Sequence, residues 1–191
     1  LACTCYFWPG RLAEVLEHND RVWSLYEDGK HRHLAGVLNH DPKTVAAIYA
    51  SICWWILGYP DRAVSLSDER DAHASRLNHP FDLAYSLSLG SDVFHCRRES
   101  GALLHRAEEV ERLGREHSLP FLWAHFAPVR LGLALSHEGK PAQSVAALES
   151  GLDFFDASGG KAYSPYLRAV LAEGLAQLGD VDGALELIDK Q

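Results

Sequence analysis

Residues 55–66 read WILGYPDRAVSL, and the fold turns on whether this is an aromatic ligand box or a corner between two helices. Two relatives downstream decide it. LSHEGKPAQSVAAL (135–148) and LAQLGDVDGALELI (175–188) repeat its plan. Each has an apolar helical run, a glycine, a short turn with Pro or Asp, and a small residue five positions after the glycine. The glycines are Gly58, Gly139 and Gly179; the small partners are Ala63, Ser144 and Ala184. Gly139 and Gly179 lie about 40 residues apart, within the range of paired-helix repeats. The gap from Gly58 to Gly139 is twice as long and leaves room for one more copy. That copy should turn near Arg98, within FHCRRESGALLHRAEEVERL (94–113), with its glycine displaced to Gly101. Such a period, with two helices per unit, marks a helical solenoid.

The remaining pattern is helical as well. Pro9-Gly10 precedes an amphipathic run over 10–27 with Leu12, Leu16, Val22, Trp23 and Tyr26 inward. Asp41-Pro42 supplies an N-cap and a first-turn proline. After it, Val45, Ile48, Tyr49, Ile52 and Ile56 recur at core-facing spacing. Pro60 opens a partner helix to about residue 77, and further pairs follow over 82–97 with 100–117, 121–138 with 141–157, and 164–178 with 181–191. The expected architecture is all-α: helix-turn-helix repeats stacked as a right-handed superhelix. It forms one repeat domain over 1–191, divided as a truncated first repeat and connection at 1–40, then 41–78, a degenerate 79–118, 119–160 and a terminal 161–191. Glycine, alanine or serine is needed where helices cross closely, and Ala63, Ala107, Ala147 and Ala184 fit such positions. Adjacent tryptophans cannot share one helix face. Trp55 is assigned to the core, and Trp54 to a seam or the surface.

These residues resemble a known family. The turns LGYPDRA and LGDVDGA look like tetratricopeptide repeats, with a period longer than the usual one. Asp41-Pro42, the segment Leu57 to Ala63, His79-Pro80-Phe81 and Gly159 to Pro165 are similar to the C-terminal repeat region of large bacterial signalling proteins. Those proteins join a class III adenylate/guanylate cyclase or another output domain to an AAA-like or STAND-type ATPase. The resemblance implies a role in protein interaction or in regulating attached domains. Ser144 in place of alanine, and the displaced glycine near Arg98, depart from the repeat consensus. The chain begins LACTCYF and contains no methionine, so it reads as a piece of something larger, with Tyr6, Phe7 and Trp8 left exposed and prone to dimerise.

Composition narrows the function. A net charge of −8 with scattered Lys and Arg gives no positive stripe for nucleic acid. No apolar run approaches a bilayer span of about 20 residues. Four cysteines without a disulfide framework suit a reducing, cytoplasmic setting. Cys3-Thr4-Cys5 with His31, His33, His95 and Cys96 offers ligand atoms, but Cys-x-Cys is short of zinc-knuckle spacing and lacks a second knuckle. No nucleophile elbow, zincin helix or P-loop is present. Glu108, Glu109 and Glu111 with Arg106 and Arg112 read as a solvated helix face. The expectation is therefore no catalytic residue, no metal, no cofactor, no nucleic acid and no membrane. In such repeats the first helix of each pair lines the groove. Tyr49, Tyr85, His125, Arg130 and Arg168 are the outward-facing candidates, with Trp54 as a further contact. Arg130 and Arg168 could meet a carboxylate of a protein or peptide partner, intramolecular or separate, unless they pair with acids such as Glu173. The alternative is a small-ligand sensor, which an enclosed pocket of about 300 Å³ or more would support.

Overall fold

The computed structural model describes residues 2–161 and 163–189, and every regular element among them is helical. The helices are α1 (Ala2–Phe7), α2 (Leu12–Leu25), α3 (Asp28–His31), α4 (Leu34–Leu38), α5 (Pro42–Ile56), α6 (Pro60–Arg76), α7 (Pro80–Leu89), α8 (Asp92–Cys96) and α9 (Ser100–Glu116). A π-helical turn, Leu122–Phe126, then leads into α10 (Ala127–His137), followed by α11 (Pro141–Ala157), α12 (Ser164–Gln177) and α13 (Val181–Asp189). They gather into two compact units, Leu1–Val93 and Phe94–Gln191.

The helix ends keep a common rhythm. Gly58, Asn78, Arg98, Ser118, Gly139, Gly159 and Gly179 all have positive φ, spaced almost evenly at half a repeat. After Gly58, Arg98, Gly139 and Gly179 the next N–H reaches back to the carbonyl five positions earlier: Tyr59 to Trp54, Glu99 to Phe94, Lys140 to Leu135 and Asp180 to Leu175, all at 2.8–3.0 Å. This is the Schellman closure, which satisfies carbonyls orphaned at a helix end. The expected turn near Arg98 is there, but its left-handed residue is Arg98 itself, at φ 58, and not Gly101. A side chain is tolerated there at a conformational cost that glycine avoids.

The close crossings involve residues beyond those expected. Ala63, Ala107 and Ala184 are buried, whereas Ala147 is only partly so. Close approaches between α10 and α11 fall on helical glycines: a Cβ on Gly132 would lie 2.6 Å from Leu148 Cγ, and one on Gly151 2.8 Å from Val129 Cγ2. Ser144 donates to the Gly132 carbonyl at 2.8 Å, so its hydroxyl is satisfied at the crossing where an alanine stands in other repeats. The first helix of the degenerate repeat, read as 82–97, is broken between α7 and α8. Pro128 explains the π turn: it has no N–H to give to the Ala124 carbonyl and would crowd it, and the Ala127 N–H reaches Leu122 instead.

Several inward assignments change. Ile56 is the last residue of α5 and is 56% exposed, having passed the end of the packed face. Trp55 and Trp54 are both half-buried. Tyr6 and Phe7 are not left bare: they pack on the unit-1 cluster of Cys3, Val15, Ala46, Ala50 and Cys53, and only Trp8 remains exposed. Arg106 leaves its solvated face and lies buried with its guanidinium 4.2 Å from the Phe94 ring centre, where cation and aromatic face attract.

Candidate functional site

In the first unit a set of polar side chains is buried, and most of its polar atoms are hydrogen-bonded, Asp82 Oδ1 and His73 Nδ1 being exceptions. Asp41 caps α5 by accepting from the N–H groups of Lys43 and Thr44 at 3.0 and 2.9 Å. The same carboxylate accepts the Tyr26 hydroxyl at 2.5 Å and faces His73 Nε2 at 3.0 Å, while the Asp41 N–H donates to Asp82 at 3.0 Å. Burial pushes Asp41 upward, but the hydrogen bonds from His73, Tyr26 and Thr44 outweigh it and hold the carboxyl below its usual range. Asp82 has little such support. Burial first, then the Asp41 charge, raise it to about 7. Nearby, Arg70 is 0% exposed; its Nε meets Ser86 at 2.9 Å and Asp71 at 3.1 Å, and its Nη2 donates to the Gly90 carbonyl at 3.3 Å. A Cβ on Gly90 would fall 2.1 Å from that guanidinium, so this glycine makes room for the arginine. Sequence reading missed Arg70, because a charged residue on an amphipathic helix normally faces water.

The expected contact residues divide by burial. His125 and Arg130 do not face outward: they are 5% and 1% exposed. His125 lies within 2.8 Å of the Gly151 carbonyl and stacks on Phe155, and burial brings its pKa down to about 4. Arg130 stands near the Tyr163 ring at 5.8 Å. His125 lies within the π turn and Arg130 in the helix that follows it. Arg168 is partly exposed, bonds Ser164 at 3.0 Å and pairs with Asp156 at 2.5 Å; Asp156, not Glu173, is its acid. Tyr49 and Tyr85 are half-buried. Tyr49 packs on Phe7 and Tyr85 on His40 and Phe81. Trp54 lies under Arg62 at 4.1 Å and edge-on to Tyr59, beside a cleft of about 290 Å³ that also includes Trp23, Leu66 and Glu69. Within each unit these residues have separate neighbours: Tyr49, Trp54 and Tyr85 in the first, His125, Arg130 and Arg168 in the second.

Two clefts of the second unit do bring side chains together. The larger, about 480 Å³, lies between α9, the π turn with α10, and α11; Trp123, Ala127, Leu131 and Phe154 form its apolar floor, and Glu108, Glu111 and Arg115 its rim. The Arg115 guanidinium sits 4.8 Å from the Trp123 ring centre. The other, about 290 Å³, is polar and is walled by His95, Arg98, His137, Tyr166, Glu173 and Gln177. His95 and His137 stack at 4.7 Å, and the Tyr166 hydroxyl bonds His95 Nε2. Burial foremost, with His137, Arg130 and Arg98, depresses His95 to about 3. Burial and Arg98 likewise lower His137, so both rings are neutral near pH 7. The displaced turn glycine marks only a degenerate repeat in the sequence; in the structure Arg98 takes the turn beside this cleft.

Among the described residues no three His, Cys, Asp or Glu side chains are grouped to hold a metal ion, and no helix is long and apolar enough to cross a membrane. Cys3 is buried and Cys5 exposed, so the Cys-x-Cys pair diverges. No protein-family model matches the chain, and no curated protein matches it. Solved structures do. A Podosopora anserina structure described as "putative kinesin light chain nearly identical TPR-like repeats" aligns over 98% of this chain and 88% of that one, at 14% identity and a TM-score of 0.59. MamA MSR-1 aligns over 98% and 89%, at 15% identity and a TM-score of 0.51. The fold is thus an all-α helical repeat of the tetratricopeptide-like kind.

Proposed function

We propose that this chain is a non-catalytic protein-interaction or regulatory module that holds a peptide segment of a partner, within the same polypeptide or separate. The observation that carries the reading is the 480 Å³ cleft of the second unit. An apolar floor of Trp123, Leu131 and Phe154 inside a charged rim of Glu108, Glu111 and Arg115 has the layout of a protein interface, where aromatic anchors are ringed by polar groups. Repeat folds of this kind commonly serve such contacts. The sequence resemblance supports a finer setting: a cytoplasmic regulatory region of a larger bacterial signalling protein with ATPase or cyclase domains. Trp54, Tyr49, Tyr85 and Arg168 keep accessible surface and are proposed as secondary contacts. His125 and Arg130 act in this reading from beneath, by supporting the helix that carries Trp123 and Leu131.

A peptide-display selection on the immobilised protein tests it. Enriched peptides should carry an apolar anchor, and Trp123→Ala with Leu131→Ser should weaken them by about tenfold or more, the loss expected when an interface anchor is removed. Lack of enrichment, or equal binding by a folded double variant, refutes the interface. A second reading, sensing of a small ligand, is favoured by the polar cleft around His95 and His137.

A further inference from the structure

We infer that the polar cleft of the second unit binds a free α-amino acid as its zwitterion, with the carboxylate on Arg98 and the ammonium on Glu173; this rests on the small-ligand reading of that cleft.

Four observations converge. First, Arg98 and Glu173 are the charged side chains of the cleft wall. Both histidines are neutral there, for the reasons given above. Second, the two charges flank His137 without pairing with each other: Arg98 pushes the His137 pKa down while Glu173 pushes it up. Among the described residues neither enters an ion pair, and Glu173 only accepts a long 3.5 Å contact from the Gln177 amide, one turn away on the same helix. A ligand with an anion and a cation a few ångströms apart matches this arrangement. A simple anion would use only Arg98 and a simple cation only Glu173, whereas a zwitterion engages both.

Third, the cleft is built on a rigid support. His95 is 8% exposed and is held by Tyr166 across the cleft and by the parallel His137 ring. Its Nδ1 and that of His137 are buried without hydrogen-bond partners, a cost native structures seldom carry without a reason. Fourth, Arg98 stands in the left-handed turn position that Gly58, Gly139 and Gly179 occupy in the other repeats. The backbone accepts strain there, and what it gains is a guanidinium at the mouth of the cleft. Strained positions of this sort cluster at ligand sites. The volume of about 290 Å³ falls at the small end of ligand pockets and suits a ligand of few heavy atoms. Val170 and Pro141 give a side chain an apolar surface to rest on.

Thermal-shift and calorimetric titration of the whole chain with each of the twenty free amino acids tests the assignment. At least one should bind with a dissociation constant of about 1 mM or tighter. Its N-acetyl and carboxamide derivatives should each bind about tenfold more weakly, because each removes one charge-assisted contact. Arg98→Gly restores the turn residue of the sister repeats, so it should fold, with an unchanged or higher melting temperature, yet lose binding by about tenfold or more. Glu173→Gln should abolish discrimination against the N-acetyl form. Binding that persists in Arg98→Gly, or an N-acetyl form as tight as its parent, overturns the zwitterion. Nucleosides and sugar phosphates form a parallel arm. Stabilisation by one of these alone overturns the amino acid and leaves the small-ligand reading standing, whereas silence in both arms removes both.

Discussion

The two units fill their interiors with a different balance of polar and apolar side chains. The first buries alanines together with Asp41, Ser51, Ser67, Arg70, His73, Asp82, Ser86 and Ser88, and holds them by hydrogen bonds. The second is closed mainly by Phe94, Leu103, Val129, Leu133, Leu148, Leu152, Leu167 and Leu171, with glycines letting the helices approach, and it buries fewer polar groups, chief among them His125 and Arg130. Hydrogen-bonded interiors demand complete partnering, because a buried charge that loses its partners keeps its desolvation penalty. Apolar interiors tolerate exchange of side chains but respond to lost volume. The same repeat plan can therefore be stabilised by direction or by volume.

The sharpest way to break this contrast is at Arg70. Replacing Asp71 by Ala should strip a carboxylate from a fully buried guanidinium and destabilise the first unit by about 3–5 kcal/mol in urea unfolding. Arg70→Met, which removes the charge and fills the space, should cost far less. Equal losses would mean that the cage acts through volume, as in the second unit. Leu148→Ala is the counterpart there. With Leu148 fully buried against Gly132, about 2–5 kcal/mol is expected, and hydrogen exchange should loosen α10 and α11 before α5 and α6.

Acid separates the units by sign. The raised Asp82 keeps its proton in the folded state while the unfolded carboxyl, near 3.9, has lost it. Between about pH 4 and 7 the native state therefore binds more protons at Asp82, and stability from this group is present at low pH and lost as pH rises through about 7. His95 and His125, depressed to about 3 and 4, run the other way: the unfolded imidazoles take up protons below about 6.5, so the second unit gains stability as pH rises from about 4 to 6.5. His40, also held low by burial, offsets part of the Asp82 slope in the first unit. Exchange measured at pH 4.5, 5.5 and 6.5 should show α10 amides becoming better protected with rising pH, and Asp82→Asn should remove the opposing trend in α5 and α7. Parallel slopes in the two units would contradict these assignments. The smallest effect belongs to Gly58→Ala, where nothing lies within 4 Å of a new Cβ and only the left-handed backbone objects, at about 1 kcal/mol.

What the sequence made legible was whatever depends on local backbone geometry. Gly58, Gly139 and Gly179 announce helix ends because few other residues accept that conformation, and Pro60 and Pro141 announce starts for the complementary reason. The period placed the turn at Arg98 even without its glycine. Packing partners were harder. Gly132 and Gly151 look like weak points in a helix and are in fact contact surfaces, visible only once Leu148 and Val129 are seen opposite. The burial of Arg70, Arg106 and Arg130 could not be read from charge patterning, since each depends on acceptors or rings from other helices. The polar cleft needs residues from α8 to α12, so no local motif could encode it.

The π turn carries a consequence for repeat register. The interval from Ser118 to Gly139 is longer by a single position than the intervals on either side, and the wide turn Leu122–Phe126 lies inside it. One added residue in a helix would ordinarily rotate everything after it by about 100° and throw the following repeat out of phase. A π turn swallows that residue as a local swelling, so α11 and α12 keep their register. The same turn carries Trp123 and leads into the helix that carries Leu131, both on the wall of the larger cleft. Deleting Ala124 together with Pro128→Ala should erase the swelling, giving a regular helix, an intact downstream repeat and a flattened cleft.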